Sequence, residues 1–311
     1  SHFSLLPRTK YDFAGDVGTG IGSSVVMGPV QWIQRTFPEA PLVVMEETED
    51  KPQKIIGHPL AKLIENPNPF YAGTQLWMAT IFSWCIAGDV YWIKIRNRRR
   101  DVVQLWYVPH WLMQPRWPQG ASAIDVFISH YEYSLSGQKV DLPIEDVVHF
   151  RHGINPNNLR CGLSPLNSVM REIWGDDEAS NWVASLLRNS GVPGIVISPD
   201  SNTVQAVQGD VDAVKQYFKE MFTADHRGEP LVLSGKTKVD QFGFDPKAMD
   251  LSAIRDVAEE RVCASLGIPA AVVGFGTGLQ SSKVGATMKE FARMAWTDGI
   301  IPIQRIMASE V

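Results

Sequence analysis

The chain is short of cysteine, of long apolar runs and of positive charge, and each shortage removes a class of protein. Its three cysteines, Cys85, Cys161 and Cys263, are odd in number and far apart. That arrangement supplies neither a disulfide framework nor a close pair for metal binding, and it suits a reducing, cytosolic assembly site. The most apolar stretch, Leu76 to Ala87, is interrupted by Thr80 and Ser83 and is shorter than the ~18 residues a bilayer span requires. No signal peptide, lipidation motif or membrane anchor is legible. With 29 Lys and Arg against 34 Asp and Glu, the net charge is −5. A protein that grips phosphates carries the opposite sign, because its affinity comes from cations displacing counterions.

Motifs for chemistry are also missing. No Gly-x-Ser-x-Gly elbow exists, and in Gly162-Leu-Ser-Pro-Leu166 a proline follows the serine and removes the amide an oxyanion hole would use. Ser234-Gly-Lys-Thr237 resembles the tail of a phosphate-binding loop, but Pro230 stands where the earlier glycine is required and a strand pattern follows. Gly15 to Gly20 and Gly274 to Gly278 are glycine-rich without the strand-then-helix order of a dinucleotide fingerprint. His149 and His152 sit at a strand end, where a spacing of three turns the rings to opposite faces, and only Glu145 and Asp146 are near in sequence as further ligands. No metal or cofactor is expected. A nucleotide-dependent or hydrolytic α/β enzyme with a long regulatory helix is the alternative class, and it needs a convergent polar site that these residues do not assemble.

What the chain does have is 311 residues, 44% of them hydrophobic and 20% charged, enough for one large globular domain or two. Ten tryptophans and ten methionines offer broad, adaptable apolar surface for a core or for subunit interfaces. The fold class expected is α+β. Pro59 to Glu65 and Thr74 to Ala87 read as helices, and Val90 to Ile95, Val102 to Tyr107, Ser129 to Ser134 and Val147 to Phe150 as antiparallel strands. Arg98-Arg-Arg100 falls between two of these strands, as a hairpin tip that can also carry a binding contact.

The second half has a different texture. Ser164-Pro165 opens a helical pattern that Gly191 and Pro193 close. Leu166, Val169, Met170, Ile173 and Trp174, then Trp182, Val183, Leu186 and Leu187, form one apolar stripe with Asp176, Asp177 and Glu178 between. Such a helix would be about 40 Å long, the length of a strut or a tunnel wall. A small α/β insert follows: a strand at Ile195 to Ser198, a helix at Val211 to Phe222, and strands at Leu231 to Ser234 and Val239 to Phe244. Leu251 to Leu266 makes a second long helix, stopped by Gly267 and Pro269. A third helical pattern, with Met288, Phe291, Ala292 and Ala295 on one face, must break or kink at Gly299 and Pro302. Its spacing continues through Ile303, Ile306 and Met307 to Val311, inside a helix with no C-terminal cap.

These residues carry a resemblance. The run from His58 to Pro69 (His-Pro-Leu-Ala-Lys-Leu-Ile-Glu-Asn-Pro-Asn-Pro), Gly88 to Arg96, Val148 to Arg151 and Gly162 to Leu166 match in order and spacing the tailed-bacteriophage portal proteins of the HK97 type. So do Leu231 to Gly235, Ala264 to Pro269 with Val273-Gly274, and Ile300-Ile-Pro302. Two features depart: Gly88-Asp-Val-Tyr91 stands where the family commonly has Gly-Asn-Ala-Tyr, and Ser282-Lys-Val-Gly-Ala286 where it often has Asn followed by Glu.

The resemblance implies a portal fold: a mixed wing domain at 1–160, a first stem helix at 161–192, a small α/β clip at 193–247 and a second stem helix at 248–272. A tunnel loop at 273–285 and a kinked tunnel helix and wing at 286–311 follow, with the C-terminal crown absent. It further implies a non-enzymatic ring subunit, usually one of twelve, at one capsid vertex of the virion or prophage particle, assembled in the bacterial cytoplasm. Its implied partners are other copies of itself, double-stranded DNA held transiently and without sequence preference, the large terminase, capsid and scaffold proteins, and head-completion or tail-connector proteins. Gly276, Thr277, Gly278, Gln280, Ser281, Ser282 and Lys283 would form the DNA-facing loop. Asp176, Asp177, Glu178, Arg255, Glu259, Glu260 and Arg261 would set the charge of the channel and stem. A conduit through which DNA must slide gains from acidic walls, whereas a solvated helix face explains the same carboxylates equally well.

Overall fold

The computed structural model describes residues 22–46, 51–118, 126–188, 195–199, 237–241, 251–275 and 285–311. The chain divides into two compact units, one formed by Ser1–Trp174 with Asp256–Val311 and the other by Gly175–Arg255.

The first unit is built around the apolar run. It forms helix α3 (Gly73–Ala87), preceded by α1 (Ser24–Thr36) and α2 (Pro59–Glu65). Leu76, Ile81, Trp84, Cys85 and Ile86 of α3 are almost fully buried, so the stretch too short for a bilayer is a core helix covered on all sides. Its two polar interruptions are buried with partners. Thr80 Oγ1 donates to Leu76 O (2.8 Å) and accepts from Trp92 Nε1 (2.8 Å), and Ser83 Oγ pairs with Tyr107 Oη (2.6 Å) and His110 Nδ1 (3.0 Å).

Two antiparallel sheets complete this unit. Strands β3 (Asp89–Arg96), β4 (Val102–Val108) and β8 (Val147–Arg151) pair in the order β4-β3-β8, and β5 (Met113–Arg116), β6 (His130–Leu135) and β7 (Gln138–Leu142) in the order β5-β6-β7. A two-stranded pair, β1 (Met45–Glu46) with β2 (Gln53–Lys54), precedes them. Along β3 the side chains alternate between two cores. Val90 and Trp92 join the larger cluster with Phe150 and α3, through Trp77–Trp92 and Trp92–Phe150 ring contacts of 5.1 and 4.8 Å. Tyr91 faces a second cluster with Val108, Met113, Tyr131 and Val147. All four strands expected from alternation are present, while α1, β1, β2, β5 and β7 are additional. Arg98 to Arg100 do form the turn between β3 and β4.

Ser164 caps the next helix as expected: its Oγ accepts from Leu166 N (3.2 Å) and donates to Ile86 O at the end of α3 (2.6 Å). The first turn, Pro165–Val169, is a 3₁₀ segment, and the α-helix proper, α4, runs Met170–Arg188. Leu166, Val169, Met170 and Ile173 are buried, but Trp174 is 63% exposed and Val183 is exposed as well. The buried part of the stripe thus runs to Ile173; beyond the acidic interruption Trp182 is half-buried, and the side chains of Leu186 and Leu187 lie outside the described residues. Helix α5 (Leu251–Ser265) ends at Gly267, whose φ of +75° is left-handed, and the four-residue α6 (Ala270–Val273) follows. Ala258, Val262, Cys263 and Leu266 enter the larger core.

In the second unit, β9 (Ile195–Pro199) pairs antiparallel with β10 (Thr237–Gln241). The helix expected at 211–222 and the strand expected at 231–234 lie outside the described residues.

The final helical pattern is one helical path rather than a broken one. α7 (Gly285–Met294) passes through a π segment, Ala295–Ile300, into α8 (Ile301–Glu310). Pro302 sits in the first turn of α8, and widening the preceding turns by one residue lets the chain meet a proline without a sharp stop.

Candidate functional site

Two ion pairs between described residues join side chains of the helices α4 and α5. Within the first unit Arg261 pairs with Glu172. Within the second, Arg255 Nε lies 3.2 Å from Asp176 Oδ1. The carboxylate of Asp176 is 4% exposed whereas Arg255 is half-exposed, so a negative charge placed on the helix is held in a poorly solvated position by one guanidinium. Glu178 and Glu260 face solvent, and Asp177 and Glu259 are half-buried. Of the candidate channel residues, Asp176, Arg255 and Arg261 are engaged in these pairs, Asp177 and Glu259 are half-buried and also partnered, and Glu178 and Glu260 supply exposed negative charge.

The candidate loop residues Gly276, Thr277, Gly278, Gln280, Ser281, Ser282 and Lys283 lie outside the described residues. Their flanks are described. Gly274, at φ +95°, caps α6 on the near side, and α7 begins at Gly285 on the far side. The π segment is pinned where Gly299 crosses the α5 terminus: a Cβ there would stand 2.8 Å from Gly267 O and 3.0 Å from Ile268 Cγ2.

A polar cluster that the sequence reading missed lies between the two sheets. Asp89 Oδ1 accepts from His149 Nε2 (2.8 Å) and from Gly162 N (2.7 Å). A carboxylate only accepts, so Nε2 carries the proton and His149 Nδ1 accepts from Tyr131 Oη (3.2 Å). Tyr91 stacks on the imidazole with centroids 4.4 Å apart. Burial lowers the His149 pKa, against the opposing pull of Asp89, so the ring is neutral. Burial also pushes the phenol of Tyr131 up to about 12. His152 turns the other way, onto Trp84 with Nδ1 3.0 Å from Leu163 O. The opposite-face expectation for the two histidines holds, but the acid beside His149 is Asp89, not Glu145 or Asp146. Asp146 instead pairs with Arg96 at 2.6 Å.

An acid–histidine pair invites comparison with a catalytic dyad, and the third member decides against it. The group on His149 Nδ1 is a tyrosine hydroxyl held far from ionisation. The neighbouring Cys161 thiol, which accepts from Asn158 Nδ2, is pushed up to about 11 by burial and then by the Asp89 charge, the opposite of an activated nucleophile. A cavity of about 360 Å³ reaches Asp89, Tyr91, His110 and Cys161. Among the described residues no group of three or more His, Cys, Asp or Glu is placed to hold a metal, and no helix is long and apolar enough to cross a membrane. Thr237, the last residue of the phosphate-loop resemblance, opens β10, so a strand stands where that motif requires a helix.

The cluster's work is structural. Gly88 closes α3 at φ +78°, and a Cβ there would lie 2.5 Å from Leu163 C; at Gly162 it would lie 2.0 Å from Gly88 O. Two backbones cross at this point, stitched by His152 N to Gly88 O (2.8 Å), Leu163 N to His152 O (2.9 Å) and the Asp89 bond to Gly162. The crossing fixes the place from which Ser164 launches the long helix.

The sequence model of a family described as phage portal protein matches residues 24–311. An uncharacterized protein of Rickettsia bellii (strain RML369-C) is 24% identical over 321 residues, spanning 100% of this chain and 80% of the relative. Among solved structures, one titled as the neck of an empty GTA particle computed with C6 symmetry superposes with a TM-score of 0.67 at 21% identity, over 95% of this chain and 78% of that one. An HK97 family phage portal protein from Corynebacterium diphtheriae gives a TM-score of 0.64 at 15% identity, over 94% of this chain and 88% of that one.

Proposed function

The chain belongs to the phage portal protein family, and from that premise we propose that it is a ring subunit forming the DNA conduit at one capsid vertex. The observation that carries this reading is the extent of the family match, residues 24–311, which takes in both halves of the chain. The mixed α/β first unit, the long capped helix and the final helix with its π segment support it. On this reading, 1–160 is the wing, 161–192 and 248–272 the stem helices, 193–247 the clip and 273–285 the tunnel loop. The large terminase docks at the clip during packaging and supplies the motor energy. Connector proteins take its place afterwards, and capsid or scaffold proteins surround the wing. Assembly takes place in the host cytoplasm.

Net acidity suits the role. Exposed carboxylates such as Glu178 and Glu260, multiplied around a ring, would repel phosphate at every register and let DNA slide. Small polar and glycine residues at 276–282 offer weak, rearranging contacts to a moving backbone. Lys283→Glu should slow packaging with little effect on ring assembly, and an unchanged packaging rate would count against a DNA-facing loop. The ring itself is tested by the solution mass of the protein together with electron-microscope images. Closed rings with a central hole are expected; a strict monomer at every concentration, also in the presence of capsid protein, would sink the reading.

A further inference from the structure

The turn between β3 and β4 carries three consecutive arginines, whose side chains have no hydrogen-bond or ion-pair partner among the described residues. Asn97 builds it: its backbone N–H donates to Asp101 O (2.9 Å), its carbonyl accepts from Arg100 N (3.0 Å), and its side-chain oxygen accepts from the amides of Arg99 (2.8 Å) and Asp101 (3.0 Å). Two of the local acids are engaged, and the third, Glu145, is exposed and gives Arg96 only its backbone carbonyl. Asn97 Nδ2 donates to Asp101 Oδ2 (3.0 Å), and Asp146 is paired with Arg96. Arg96 also donates to Arg100 O and Glu145 O, both at 2.9 Å, which ties the tip to the turn before β8. Arg98, Arg99 and Arg100 are all exposed, and no ion pair among the described residues involves them. Arg100 stands at φ +70°, a left-handed position where Gly or Asn has the lower energy.

An apolar strip runs up to this tip on one face of the sheet. Ile95 pairs with Gln104 and Ile93 with Trp106, so these four share a face. Phe70 lies against Trp106 with centroids 5.6 Å apart and is 79% exposed, and Ile95 is 42% exposed. Phe70 is held out by design of its loop: Asn68 Oδ1 accepts from the amides of Phe70 (3.0 Å) and Tyr71 (3.2 Å), and Asn68 Nδ2 donates to Leu105 O (2.9 Å). The backbones of both parts are therefore hydrogen-bonded in place before any partner arrives, which reduces the ordering cost of binding to that of the side chains.

We infer that Phe70, Trp106, Ile95 and the Arg98–Arg100 tip form one docking surface for an acidic protein segment carrying an aliphatic or aromatic anchor. Three unpaired guanidinium groups select carboxylates, and the exposed strip beside them is what a buried anchor side chain would cover. Duplex DNA would satisfy the arginines but leave Phe70 and Ile95 bare, so a protein partner uses the whole surface. The inference does not depend on the portal reading, since it rests on this face alone.

Fluorescence anisotropy at physiological salt tests it on the whole chain with three probes: a short labelled peptide alternating Glu with Leu and Phe, the same peptide with Ser for Leu and Phe, and a random-sequence DNA duplex. Two variants are compared, Phe70→Ser and the triple Arg98→Ser, Arg99→Ser, Arg100→Gly, the glycine suiting the left-handed turn; melting curves check that both fold. The first peptide should bind, about tenfold or more weaker in each variant, and the other two probes should bind about tenfold weaker than the first. Equal binding of the Ser peptide or the duplex, or binding indifferent to either variant, overturns the inference. A change in the mass of the unliganded protein in the variants overturns it too, because the face would then join copies of this chain.

Discussion

At the scale of single residues, the crossing of Gly88 and Gly162 is the most constrained point in the first unit. Gly88→Ala must both accept a left-handed φ and push against Leu163, and Gly162→Ala must displace the Gly88 carbonyl. Each should lower stability by about 3 kcal/mol or more, read from the denaturant midpoint of whatever folds. Asp89 supplies a subtler case. Asp89→Asn keeps an oxygen for Gly162 N and His149 Nε2, and should cost less than about 1 kcal/mol, whereas Asp89→Ala leaves two buried donors unpaired and should cost about 2–4 kcal/mol. Equal penalties for Asn and Ala would show that the charge, not the hydrogen bonding, is what matters there. The sequence placed both glycines in resembling stretches without giving a reason; the reason is a contact between residues 74 positions apart, which no local pattern encodes. Asp89 escaped notice as a partner of His149 for the same reason, since the two meet only through the β3–β8 register.

Among elements, alternation and capping residues were legible and burial was not. Strand periodicity located β3, β4, β6 and β8, and Ser164, Gly267 and Pro269 marked helix ends, because those signals are local backbone chemistry. Strand β5 contains Pro115 and β7 is exposed along nearly its whole length, so neither has the apolar alternation that betrays a strand. Trp174 shows the converse. It continues the apolar spacing of α4 yet faces out, and in a ring subunit an exposed indole on the proposed stem helix is suited to a neighbouring copy. Trp174→Ser should leave the melting temperature of the unassembled chain nearly unchanged while weakening ring formation; a large drop in melting temperature would return the residue to the core. The ion pair on the same helix behaves differently. Arg255→Ala leaves Asp176 in a poorly solvated place without its cation, and should cost about 1–2 kcal/mol, between the values for exposed and buried pairs. Arg255→Ala combined with Asp176→Asn should recover part of that loss in chemical denaturation.

For the whole molecule, buried neutral histidines set the response to acid. Burial holds His149 below its usual range and His110 down to about 4. The unfolded chain takes up these protons first, near pH 6.5, so between about 6.5 and 4 the unfolded state binds more protons and stability rises with pH. The thermal midpoint should be flat above pH 7 and fall on acidification through that window, and His110→Gln should shallow the decline. A midpoint that rises on acidification would mean that the histidines are charged in the native protein. Family membership, by contrast, was carried by the order of many short stretches across the chain, each too ordinary to be informative singly.

The burial of the cysteines bears on how an assembled ring can be counted. Cys85 and Cys263 are fully buried with thiols pushed up to about 12, and Cys161 stands at about 11, so almost no thiolate exists at neutral pH. A maleimide dye should ignore Cys85 and Cys263 in the native protein and label them only after unfolding, whereas Cys161, half-buried and lining a cavity, is the natural thiol open to slow labelling. With Cys161 replaced by Ser, one cysteine introduced on an exposed surface then becomes the sole reactive handle, and the two buried cysteines can stay. Stepwise photobleaching of such a singly labelled chain would report subunit number one fluorophore at a time, inside a capsid as well as in free solution.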